Sequence, residues 1–184
     1  MFVSIVAFLL REERWNLLGD FVAGPIPMRY LPDTRGPANA EWFYASQHLP
    51  SLIDESTRRS RVSLHADILN ERHTKGGLGA VMPIDEFVAG DYFLFLRGEM
   101  MPSQRETWMI WRPWSALYLK STPLFLRSAE YNPVAAEVMR LFGISDPDEF
   151  KKRFGERAHC LRELFRSALW FNPVEYDITK FGTR

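Results

Sequence analysis

Tyr92-Phe93-Leu94-Phe95-Leu96 is an unbroken apolar run between two charged residues, Asp91 and Arg97, and its reading decides the fold. Five consecutive apolar residues, rich in aromatics, have the length and composition of a strand buried on both faces. Ile84 to Ala89 precedes it as one or two helical turns, with Gly90 as the stop. Gly98 to Glu106 follows it, carries Pro102, and is too short for a crossover helix. Thr107 to Trp111 is therefore expected to return as a second strand, paired antiparallel with the first. Near the N-terminus, Phe2 to Leu9 is another continuous apolar run, with Val3, Ile5 and Val6, and reads as a third buried strand. These segments predict an α+β fold: a small, mainly antiparallel sheet covered by roughly five to seven helices, with a helical C-terminal half.

Punctuation elsewhere places the helices. Glu12 to Leu18 reads as a short helix ended by Gly19. The stretch from Gly24 to Pro37 is rich in proline, which removes backbone donors, so regular structure there should be short and at an edge. Ser51 with Asp54 forms a capping-box-like pair for a helix running to Asn70 and ending before Gly76-Gly77. Thr122-Pro123, Asn132-Pro133 and Asp146-Pro147 are three further helix starts, the second leading to a helix stopped by Gly143. Glu156 to Trp170 is amphipathic, with Leu161, Leu164, Phe165, Ala168 and Leu169 at helical spacing.

Composition bounds the class. Of the 184 residues, 46% are hydrophobic and 25% charged, enough apolar surface to offset the entropy of ordering the chain, which excludes disorder as the dominant state. The length suits a single domain spanning 1–184. Basic and acidic residues number 23 each, so no overall charge draws the chain to nucleic acid or an anionic membrane. The N-terminal apolar run is shorter than the roughly 20 residues a spanning helix needs, and its charges follow it rather than precede it as in a secretory signal. The single cysteine, Cys160, forms no intrachain disulfide and suits a reducing, cytoplasmic setting.

Chemistry-bearing residues gather in His65-Ala-Asp67-Ile-Leu-Asn70-Glu71-Arg72-His73. If the helix ends near Asn70 and the chain turns back, His65, Asp67, Glu71 and His73 would converge as acid–base groups or as ligands suited to zinc, manganese or iron. The spacing matches no established metal motif. Arg59 and His65 also share a spacing that resembles the R-x5-H ribonuclease motif of small helical nucleotide-binding (HEPN-type) domains. That resemblance implies an imidazole acid or base beside a phosphate-holding guanidinium. Lys75-Gly-Gly-Leu-Gly79 lacks the third glycine of a dinucleotide loop and reads as a helix stop. No serine stands in a G-x-S-x-G elbow.

Two functional expectations follow. The first is a soluble bacterial accessory protein that binds another protein, or itself, without covalent chemistry. Its aromatic and arginine-rich surface would be formed by Arg97, Trp108, Trp111, Arg112 and Trp114. The second is a small hydrolase or nuclease built on the 65–73 cluster, with or without a metal. Neither names a cofactor, and nucleic acid is the weaker of the expected partners.

Overall fold

The computed structural model describes residues 2–24, 26–28, 38–40, 58–59, 61, 63–101, 111, 113–118, 121–157 and 176–184. Helices α1 (Phe2–Arg11) and α2 (Trp15–Ala23) open the chain. Strands β1 (Ile26–Met28) and β2 (Ala38–Ala40) follow, then helices α3 (Leu64–Thr74), α4 (Leu78–Val81) and α5 (Ile84–Met100). A 3₁₀ turn at Trp114–Tyr118 leads to α6 (Leu124–Ser128), α7 (Asn132–Leu141) and α8 (Pro147–Arg157), and a second 3₁₀ turn covers Ile178–Lys180.

The expected sheet does not form. Phe2–Leu9 lies within α1, and Tyr92–Leu96 lies in the middle of α5. Residues 107–110 fall outside the described residues, and Trp111 belongs to no regular element. The α+β assignment is thus corrected to a helical one. Among the described residues the strand pairing is confined to the antiparallel ladder β1–β2, in register Ile26↔Ala40, Pro27↔Asn39 and Met28↔Ala38. The physical reason lies in burial. Every residue from Phe87 to Gly98 is buried, so α5 has no wet side to reveal a helical period. A helix apolar on all faces and a strand buried on both give the same short apolar run.

Gly90, expected to end a short helix, sits inside α5 at its contact with α1. A Cβ there would lie 2.8 Å from the Ala7 Cβ and 2.9 Å from the Ala7 nitrogen, so the two backbones approach only because the side chain is missing. Gly19 likewise lies inside α2 and does not end it. The single helix expected from Ser51 to Asn70 does not form: Arg58 is helical, Arg61 and Ser63 are not, and a separate helix starts after Ser63, whose Oγ accepts from the Ala66 amide at 3.1 Å. It runs past Asn70 to Thr74. Ser51 itself, Cys160 and the amphipathic stretch beyond Arg157 lie outside the described residues.

α5 is the centre of the packing: α1, α3, α6, α8 and the 114–118 turn all rest on it. Its Phe93 meets Phe125 and Phe142 edge-on, at 5.6 and 5.4 Å between ring centroids. Phe142 leads edge-on to Phe150, on which Phe181 stacks at 4.3 Å. The chain end is tied to the same region by backbone bonds, the Gly182 amide to the Ala129 carbonyl and the Asn132 amide to the Arg184 carbonyl. The C-terminal half carries the expected proline signals: Pro133 stands in the first turn of α7, and Gly143 follows that helix with φ +65°.

Gly90→Ala separates two opposed effects. In an open helix interior the change gains about 1 kcal/mol from propensity. Against the Ala7 backbone, which cannot rotate away, overpacking costs about 1–3 kcal/mol. The expected outcome is net destabilisation, read as a lower urea midpoint; an unchanged or higher midpoint would contradict the crossing described here.

Candidate functional site

The Ser63 cap sets the direction of α3 and, with it, the side chains of the 65–73 cluster. The Asp67 carboxylate accepts from the Arg61 Nε at 2.7 Å and from the Tyr118 hydroxyl at 2.5 Å. Arg61 chiefly, with help from Tyr118 and against partial burial, holds the Asp67 carboxyl below its ordinary range. Burial and the Asp67 charge push the Tyr118 phenol up to about 12. Glu71 pairs with Lys75 at 3.3 Å on the exposed side. His73 turns inward: its Nδ1 lies 2.9 Å from the Leu69 carbonyl oxygen and its ring packs 4.7 Å from Phe87. His65 lies against Trp114, with ring centroids 5.7 Å apart. The four groups expected to converge therefore have separate partners. Among the described residues no three His, Cys, Asp or Glu side chains come together as metal ligands. The helix continues to Thr74 instead of turning back at Asn70, and that continuation keeps the groups apart. The turn that follows needs its glycines: a methyl on Gly79 would collide with the His73 carbonyl.

Of the five residues expected to form an aromatic and arginine-rich surface, the three that are described are buried or half-buried. Arg97 is buried, with its Nε donating to the Leu141 carbonyl at 3.1 Å, at the end of α7. Trp111 is buried and Trp114 half-buried. Trp108 and Arg112 lie outside the described residues.

Sequence reasoning missed Asp91. This carboxylate is 3% exposed, in the middle of the central helix. One oxygen accepts from the Trp111 Nε1 at 2.6 Å; the other accepts from the Ser115 amide at 3.0 Å and the Ser115 hydroxyl at 2.6 Å. Burial pushes the carboxyl up to about 6, although all three donors favour the charged form. Its signal in the sequence was a lone acid inside the stretch from Phe87 to Leu96, otherwise free of charge.

The 114–118 turn is thus held at both ends by carboxylates from two helices, Asp91 of α5 on its inner side and Asp67 of α3 on its outer side. That arrangement positions the turn and the two α-helices against each other. It offers no nucleophile with an adjacent base on an open surface. The exposed apolar side chains lie elsewhere. Among the described residues they are Leu17, Leu78, Val81 and Tyr131, together with Phe8 on α1 and Leu124 on α6, the last two each 46% exposed. Arg11 lies over the Phe8 ring, 5.1 Å from its centroid, and pairs with Glu86 at 3.1 Å. Arg11, Glu86 and Leu124, with Ala7, Leu10 and Phe125, line a shallow cleft.

No protein-family model matches the chain, and no curated protein or solved structure is significantly similar to it. No helix among the described residues is long and apolar enough to cross a membrane.

Tyr118→Phe tests the outer carboxylate. Because the Asp67 carboxyl is held below its ordinary range when folded, its contribution is present at neutral pH and is lost as pH falls through that lowered range. Removing the hydroxyl should cost about 1 kcal/mol at pH 7 and distinctly less at pH 2.5, by urea unfolding. Equal losses at both pH values would mean that the bond contributes nothing specific to the charged form.

Proposed function

We propose that this chain is a non-catalytic binding protein whose partner is another protein. The observation that carries the reading is the division of labour between polar and apolar groups. Asp67 and Asp91 bond the 114–118 turn, Glu71 pairs with Lys75 and His73 meets the Leu69 carbonyl within their own helix, while Phe8 and Leu124 expose apolar area beside the Arg11–Glu86 pair. Acid–base or metal chemistry needs several such groups to share one reachable point; a protein contact needs apolar side chains framed by charge. The face proposed for contact is therefore the α1–α6 surface, in place of one centred on Arg97 and Trp111, which are buried.

Cross-linking of the full chain in its cell of origin should give a discrete protein adduct. The double variant Phe8→Ser, Leu124→Ser, with an unchanged circular-dichroism melt, should lose it. Persistence of the adduct in that variant would refute the assignment of this face. A phosphodiesterase activity of the purified chain that His65→Ala abolishes would refute the non-catalytic reading itself.

A further inference from the structure

The α1–α6 face carries a projection and a recess side by side. The projection is the Phe8 ring, 46% exposed, with the Arg11 Cζ 5.1 Å from its centroid. The recess is the shallow cleft lined by Leu10, Arg11, Glu86, Leu124 and Phe125, with about 230 Å³ of open space. That is less than the roughly 300–1,000 Å³ of pockets that enclose small ligands, and it suits a single large side chain. Arg11 borders both features, so they share one face. We propose that this face is a two-fold interface between two copies of the chain, in which Phe8 of each copy enters the cleft of the other. The inference rests on the α1–α6 face being the binding surface, and it names the partner.

Charge favours a second copy over a partner of one sign. Arg11 donates to Glu12 at 2.8 Å and to Glu86 at 3.1 Å, so opposite charges stand next to each other at the cleft. A partner of either sign meets a like charge there. A copy turned about a two-fold axis presents the same pair in reverse, and Arg11 of each copy comes to lie beside Glu86 of the other. Opposed like charges, which cost affinity, are thereby avoided. The chain as a whole adds no repulsion, since 23 basic and 23 acidic residues leave a formal net charge of zero.

The parts of the contact are preformed. Ala7, the neighbour of Phe8, is fixed by the close crossing of α1 on α5 at Gly90. Leu124 opens α6, whose first turn is closed by the Leu126 and Arg127 amides on the Pro123 carbonyl. Phe125, beside it, is buried against Phe93 of α5. Projection and recess are therefore held by core contacts, which lowers the ordering cost of association. Phe8 and Leu124 at the centre, with Arg11, Glu12 and Glu86 around them, give the apolar core and charged rim of a protein contact.

Sedimentation equilibrium of the purified full chain, from micromolar to submillimolar concentration, tests the interface. The wild type should pass from monomer to dimer. Phe8→Ser should weaken the dimer at least about tenfold, because the lost burial counts twice across a two-fold axis. Arg11→Glu and Glu86→Arg should each weaken it, and an equimolar mixture of the two should recover a heterodimer, its reversed charges again facing opposite ones. A wild type that stays monomeric overturns the proposal, as does a dimer that Phe8→Ser leaves unchanged or a mixture no tighter than its components. Should Phe8→Ser fail to keep the wild-type circular-dichroism melt, the charge-reversal mixture decides. A monomeric wild type whose cellular adduct is still lost in Phe8→Ser, Leu124→Ser overturns the second copy and leaves the face as the site of a different protein; a monomeric wild type whose adduct persists in that variant overturns both.

Discussion

The constraint on which the structure depends is the burial of α5 on all sides. Enclosing Phe93, Leu94, Phe95 and Leu96 together contributes on the order of 1.5–3 kcal/mol for each side chain, enough to make this helix the organising element. It also means that anything polar on α5 must be met by a neighbour. Asp91 takes its donors from Trp111 and Ser115. Arg97 gives its Nε hydrogen to the last carbonyl of α7, and the Met100 carbonyl at the helix end takes one from Arg153 of α8. Three polar groups along one helix thereby fix the places of three other elements, adding direction to a hydrophobic effect that has none.

The arginines illustrate why charge in the sequence was a poor guide to surface. Arg97, Arg153 and Arg140 each reach a backbone carbonyl far away in sequence, at Leu141, Met100 and Trp15 respectively. Leu141 and Met100 close their helices, where carbonyls lack intrahelical partners, and there a guanidinium satisfies them while complementing the negative end of the dipole; Trp15 opens α2, and Arg140 adds a bond to its carbonyl without that complement. Arg97 reads from the sequence as part of a binding surface; in the fold it joins two helices inside the core. Trp111 follows the same logic, since its indole donor is directed at Asp91 and so cannot face a partner.

What was legible depended on whether a signal was local. The proline start of α7 and the glycine after it could be read directly, because caps and positive φ are set by neighbouring residues. The start of α8 at Pro147 was equally plain. The run Tyr92–Leu96 was not, because burial by partners distant in sequence erases the period that separates helix from strand; Phe2–Leu9 was not, because its less buried side is apolar too, at Phe2, Val3, Ile5 and Phe8. Gly90 misled for a related reason: a glycine that ends a helix and one that admits another backbone look alike until the partner, Ala7, is known. At the candidate site the carboxylates and imidazoles of 65–73 were visible as a group, but their separate partners, above all Tyr118 for Asp67 and Trp114 for His65, come from a turn some fifty residues away.

The most direct measurement is the set of backbone carbon chemical shifts over residues 84–100 in solution. Helical shifts running without a break through Gly90 and Tyr92–Leu96, with slow amide exchange throughout, are the result predicted for a single helix enclosed by its neighbours. Extended-type shifts at Tyr92–Leu96, with cross-strand contacts to Thr107–Trp111, would contradict it and restore the sheet.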